Sequence, residues 1–271
     1  MRRVPAAVAV LPACMIIVAL FGGALVGAVR TSLEPGPAGL AGEVSLDAWR
    51  AILTDPAFLD SLLFTSWITL ASTAISMIVA VGLAHLIRGR RRALWALFGL
   101  PVPVPHLLVA VVVVLWIGPA GVVDRLAGAL PFELIRDRAG LGIMLVYVLK
   151  EAPFLTLLIV AVLGPEVRAR EEAAATMGAG PLQRLRWVVW PRIAAPLSFG
   201  SLIVAAFVFG SFEVPLVVGP TYPKTLAVLA LDAARTSELD GQARSASILL
   251  VTAAVTIVCA LLLVRRARAD E

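Results

Sequence analysis

Few side chains in this chain could do chemistry. The candidates inside its apolar runs are Lys150 and Glu151 in VYVLKEAPF, Glu213 in FGSFEVP, the histidines His85 and His106, and two cysteines. A zinc hydrolase would need HExxH, two imidazoles on one helical face with a glutamate as general base, and His85 and His106 do not have that spacing. Ser201 and Ser211 follow glycines, but no general base accompanies them, as a nucleophilic serine requires. Lys150 follows Leu149 and Lys224 follows Pro223, so no GxxxxGK[ST] loop exists to hold phosphates. Cys14 and Cys259 sit within apolar runs, where a thiol serves as a small hydrophobe. The reading is therefore of no catalytic residue, no metal site and no cofactor. If ATP drives this protein, another chain hydrolyses it.

The same charges make sense as parts of a membrane interior. Each charge near a bilayer midplane costs about 2.5–3.5 kcal/mol on insertion scales, so neither Lys150 nor Glu151 should face lipid. A buried ion pair, with each other or with another span, is one reading; contact with an aqueous route is the other. Glu213 adds a third ionisable group toward the outer half of its span, followed by Pro215. In LPVPVPHLL, Pro101, Pro103 and Pro105 each remove an amide donor and push the preceding residue out of helical space, so no regular helix passes through 100–105. Unwound backbone at that depth is tolerated only against protein or a water-filled cavity. It is either a kink packed on a neighbour or a bend lining a path, and His106 beside it reads as structural. Three charges and several broken helices suit a protein that opens and closes a path. The candidate pathway residues are thus Lys150, Glu151 and Glu213.

The elements that must position these residues are apolar helices. Of 271 residues, 60% are hydrophobic and 15% charged. The mean hydropathy is +0.96, so the expected solvent is a bilayer. The net charge of +5 does not form a nucleic-acid patch, because the bases flank the apolar runs. Six runs are long enough to span, at 6–29, 60–87, 93–117, 139–163, 196–219 and 246–264. The first, behind Arg2 and Arg3, is too long for the core of a signal peptide and reads as an uncleaved helix. With the N-terminus inside, the inner segments hold RGRRR at 88–92 and most of the other arginines, whereas acids outnumber bases outside. Both termini are then cytoplasmic. Outside, SLDAWRAIL reads as a short amphipathic helix starting near Ser45 or Asp47, and 118–138 as a helix lying on the interface.

One inner segment stands apart. In EEAAATMGAGPLQRLRWVVWP, residues 171–191, a run of helix formers opens behind Pro165 with acids early, where the helix dipole favours them. Gly178 supplies a stop, and Gly180-Pro181 starts a second helix whose Leu182, Leu185, Val188 and Val189 turn toward the membrane. Alanines and a glycine on a short cytoplasmic helix make a low-relief surface that another protein can approach closely.

The order Glu172-Ala173-Ala174, three residues, Gly178, nine residues, Val188, one residue, Trp190, Pro191 resembles the EAA motif, EAA-x3-G-x9-I-x-L-P, of the permease subunits of binding-protein-dependent ABC importers. Val188 and Trp190 depart from the pattern but keep bulky apolar contacts. The resemblance covers about residues 46–265. It implies an all-α, polytopic protein of six transmembrane helices with the type I ABC importer permease (MetI-like) fold. Residues 1–45 would be an N-terminal transmembrane helix and outer loop. Residues 46–265 would form the permease core with a cytoplasmic coupling loop at 165–195, and 266–271 a cytoplasmic tail. It also implies a bacterial inner-membrane location and docking of the coupling loop on cytoplasmic ABC ATPase subunits. Glu171, Glu172, Ala173, Ala174, Gly178 and Pro191 would carry that coupling. A second permease, identical or related, and an extracytoplasmic substrate-binding protein would complete the machine. KEAPF, and FGSFEVP followed by GPTYP, look like the subgroup with spermidine/putrescine, ferric iron and thiamine permeases, which also holds sulfate and phosphonate relatives. Glu151 and Glu213, one of them offset by Lys150, lean the cargo toward a polyamine-like organic cation. Two other classes stay open on the residues alone: an ion-driven secondary transporter using the intramembrane charges, and a membrane-embedded enzyme.

Overall fold

The computed structural model describes residues 6–34, 44–87, 99–127, 134–238 and 240–269. Among these, every regular element is helical. In chain order they are α1 (Ala6–Leu33), α2 (Asp47–Thr54), α3 (Pro56–Ile87), α4 (His106–Ile117), α5 (Val122–Ala127), α6 (Leu141–Val162), α7 (Pro165–Thr176) and α8 (Pro181–Arg184). A π-helical turn (Leu185–Val189) then leads into α9 (Trp190–Gly210), followed by α10 (Glu213–Val218), α11 (Leu226–Arg235) and α12 (Gly241–Ala269). Among the described residues, six helical runs are long and apolar enough to cross a membrane: Val10–Leu33, Pro56–Ile87, His106–Leu126, Leu141–Val162, Pro181–Gly210 and Gly241–Leu262. The chain is a multi-pass membrane protein. RGRRR at 88–92, the first residues of the third run and Arg2 and Arg3 lie outside the described residues.

One boundary differs from the apolar pattern, and proline explains it. The start of the third span at residue 93 lies outside the described residues; beyond it the three prolines leave residues 100–104 in successive turns, and α4 begins at His106, behind Pro105. The pattern places the fifth span at 196–219, with a separate surface helix before it. The structure instead runs from Pro181 to Gly210 without a break, so the second helix of the loop is the foot of the span. Pro191 is accommodated because the turn before it is widened: Trp190 N–H bonds Leu185 O, and the carbonyl four residues before the proline ring is freed from the α register. At the far end Gly210 gives way to extended backbone at Ser211 (ψ 138°), and α10 starts afresh. Pro153 lies inside α6 without interrupting it.

The chain divides into two compact units, residues 1–61 with 226–254, and residues 62–225 with 255–271. In the first unit, α2 has the amphipathic character its sequence promised. Ser45 Oγ accepts the Asp47 amide at 3.0 Å at its start, and Ala48 and Ile52 turn inward. Trp49 Nε1 donates to Ser32 Oγ at 3.2 Å, which ties α2 to the end of α1, while the apolar flank of α1 stays exposed as a lipid-facing helix does. Arg244 bridges Asp55 at 3.3 Å and Glu238 at 3.5 Å at the mouth of a cavity of about 200 Å³ walled by Ile52, Phe58 and Leu229.

The second unit holds the main core, with α6 at its centre. Val146, Tyr147 and Leu155 of α6 are fully buried, and α9 packs along them through Ile193, Leu197, Val204 and Val208. The two helices meet closely at Gly200, where an added Cβ would stand 2.6 Å from Leu158 Cδ1 and 2.8 Å from Leu155 Cδ2. Helix α6 starts at Gly140, whose φ of 77° and contact with Ile68 leave no place for a side chain. Asp137 Oδ1 accepts the Gly142 amide there at 3.2 Å.

Candidate coupling loop and intramembrane node

The loop leaves α6 through Leu163 and Gly164 and enters α7 with Pro165 at the first helical position, where its missing N–H is no loss. Only Val167 and Glu171 of α7 are buried, with Ala174 half-buried, a stripe at i, i+4, i+7 that packs toward the π-turn. The opposite face, including Ala169, Ala173 and Thr176, is exposed. Of the two expected acids, Glu172 lies on the open side and pairs with Arg168 at 3.0 Å, whereas Glu171 is only 6% exposed and points inward. The helix stops as the glycine demands. Gly178 N–H bonds Ala175 O and Ala179 N–H bonds Ala174 O, both at 3.0 Å, a Schellman ending with Gly178 at φ 88°. Gly180 N–H then finds Gln183 Oε1 at 2.9 Å, and Pro181 opens α8. Val189 is buried and Leu185 and Val188 pack on the core, while Leu182, Trp187 and Met177 are strongly exposed. Thus Leu185, Val188 and Val189 of the π-turn face the protein interior, and Leu182 alone of the expected set projects freely. Arg186 lies over the Trp187 ring at 5.3 Å. The loop therefore presents small residues and three large apolar side chains on a frame fixed to α6 and α9.

The pathway candidates separate. Lys150 is 3% exposed and does not pair with Glu151. Its Nζ donates to the carbonyls of Pro101, Val102 and Val104 at 2.5, 2.9 and 2.5 Å. An ammonium has three donors, and all three are used on the segment whose prolines removed the usual helical amides. Glu151 points to His106, whose Nε2 lies 2.8 Å from Oε1, so an imidazole N–H donates to the carboxylate at the first residue of α4. The imidazole also rests on Phe207 of α9, with ring centroids 4.5 Å apart, and near buried Tyr147 at 6.4 Å. His106, read from sequence as structural, is thus a member of the node. Its only sequence signal was its position directly after the last proline. Glu213 does not join this group; it is exposed in the first turn of α10. Among the described residues, no cluster of His, Cys, Asp and Glu is arranged to hold a metal ion.

No protein-family model matches the chain. In sequence it is 27% identical over 243 residues to the inner membrane ABC transporter permease protein YnjC of Escherichia coli, covering 85% of this chain and 44% of that protein. It is 25% identical over 260 residues to the thiamine transport system permease protein ThiP of Brucella abortus, covering 93% and 45%. The chain thus spans less than half the length of these curated relatives. Among solved structures it matches a chain of a bacterial alginate ABC transporter, crystallised with an alginate pentasaccharide-bound periplasmic protein. The TM-score is 0.77 at 16% identity, over 97% of this chain and 93% of the other. A second structure of an alginate-importing ABC transporter gives a TM-score of 0.70 at 17% identity. The chain is similar in sequence to ABC transporter inner-membrane permeases and has the fold of an ABC importer permease.

Proposed function

We propose that the chain is a permease subunit of a binding-protein-dependent ABC importer. Helices α7 and α8 would form the handle that a separate cytoplasmic ATPase grips. The observation that carries this reading is the Gly178-hinged loop, a helix packed by one narrow stripe and open on its alanine face. Its frame continues directly into two core spans. Glu172, Ala173, Ala174 and Gly178 form or shape the docking surface, Glu171 and Pro191 support it from within, and both termini lie in the cytoplasm. A second permease, a copy or a relative, and an external binding protein complete the importer.

The cargo we propose is a small organic cation of polyamine type. The exposed carboxylate of Glu213 supports it, and Lys150, held among carbonyls, does not oppose it. ThiP, by its name a thiamine permease, handles an organic cation as well. The ion-driven alternative is not favoured, because two of its three charges are engaged in fixed contacts.

The test is a crosslink. Cysteines at Ala173 and Ala174 should couple to a nucleotide-hydrolysing protein in working membranes, and Gly178 replaced by a bulky residue should stop uptake while the protein still inserts. Uptake that survives an uncoupler but not ATP depletion would agree; the reverse pattern would restore the ion-driven class. Ligand-induced stabilisation of the binding protein identifies the cargo.

A further inference from the structure

Lys150 and Glu151 are consecutive on α6, yet they hold different parts of the interrupted third span. Lys150 binds the turn at 101–104, and Glu151 binds His106, where the helix resumes. Within the turn, Val102 N–H bonds Gly99 O at 3.1 Å and Val104 N–H bonds Pro101 O at 3.2 Å, so its own amides are spent locally. Lys150 takes the carbonyls of Val102 and Val104 and shares that of Pro101 with the Val104 amide. No other described side chain supplies this, and the turn has no amide of its own to replace it.

Both legs of the loop reach this node. Helix α6 runs from Lys150 to Val162, about 18 Å at 1.5 Å per residue, and only Leu163 and Gly164 separate it from α7. The other leg is the continuous run from Pro181 into α9, whose Phe207 rests on the His106 ring.

We propose that Lys150 and Glu151 are positioning residues that transmit displacement of the α7–α8 loop to the proline turn and α4, so that these move with α6 as one body. The proposal rests on the importer reading above, and its residues act through backbone and His106 rather than on cargo. A bistable element biased from a distance needs such a stiff joint; a flexible one would absorb the displacement.

The test uses the assembled importer, with its ATPase and binding protein, in proteoliposomes. Lys150→Met and Glu151→Ala should lower cargo uptake about tenfold while binding-protein-stimulated ATP hydrolysis persists, the split expected of lost coupling. Lys150→Arg, which keeps the cation and its donors, should restore part of the uptake. Parallel loss of uptake and hydrolysis from intact, assembled complexes would overturn the proposal, as would unchanged uptake. Should the variants fail to assemble, a second measurement decides. Gly99 and Leu157 face one another across the turn and α6, with an added Cβ at Gly99 lying 3.9 Å from Leu157 Cδ1. Gly99→Cys with Leu157→Cys, tied by a short thiol crosslinker, should transport as well as the untied pair, and a block on tying would show that the two parts must slide. A wild-type complex with no ATP-dependent uptake would instead defeat the importer reading itself.

Discussion

The amide of Ala179 returns to the carbonyl of Ala174 at 3.0 Å, closing α7 over Gly178, whose φ is 88°. An added Cβ at Gly178 would meet nothing within 4 Å. The requirement for glycine is therefore one of backbone conformation, not of space. An L-residue held in the left-handed region costs about 1–2 kcal/mol, less for asparagine. Gly178→Asn should keep most activity, Gly178→Ala should lose a part, and Gly178→Val should lose most. Uptake and crosslinking from Ala173, measured together, check the order. Equal activity of Asn and Val would mean that a different geometry operates in the working protein.

The glycine, the prolines and the hydropathic runs were legible in the sequence because each acts on its immediate neighbours. A proline removes its own amide, and a left-handed helix ending asks for glycine within a few residues. The partner of Lys150 was not legible. Adjacent opposite charges invite pairing on paper, but neighbours on a helix point about 100° apart. Lys150 turned to carbonyls exposed by prolines some fifty positions earlier, and Glu151 to His106. The foot of the fifth span was missed for a related reason. Proline reads as a boundary unless a π-turn absorbs its ring, and no local pattern announced that turn.

Gly200 tests the packing of α9 on α6. The atoms an added Cβ would meet are the ends of two leucines, Leu155 and Leu158, which can shift slightly. Gly200→Ala should therefore be tolerated with a small loss of thermal stability. Gly200→Leu, which must displace both leucines, should cost about 1–3 kcal/mol or more, the usual range for overpacking. Melting temperatures of the detergent-purified protein would separate the two. If Gly200→Leu melts with the wild type, the close approach of the two helices is not a stabilising contact.

Orientation is open to a labelling test. In a background lacking Cys14 and Cys259, Thr236→Cys should react with a membrane-impermeant maleimide added to intact cells. Ala173→Cys should react only once the membrane is broken. Both positions are exposed in the structure, so access rather than burial decides the outcome. Labelling of Ala173→Cys from outside would invert the topology and remove the loop from reach of any cytoplasmic ATPase.

The two neighbouring acids should part company when replaced. Glu172 and Arg168 form an i, i+4 pair with both side chains about two-thirds exposed (67% and 72%), and such pairs contribute only about 0.3–0.5 kcal/mol. Glu172→Ala should leave the melting temperature almost unchanged but weaken retention of the ATPase during purification. Glu171 is buried on the stripe that seats α7, so Glu171→Ala should lower thermal stability clearly, and Glu171→Gln, which keeps the shape, should lower it less. Measuring stability and ATPase retention on the same preparations distinguishes support from contact. If Glu171→Ala were stable yet lost the ATPase, the inward acid would have to turn outward on docking, and the face assigned to contact would have to be redrawn around it.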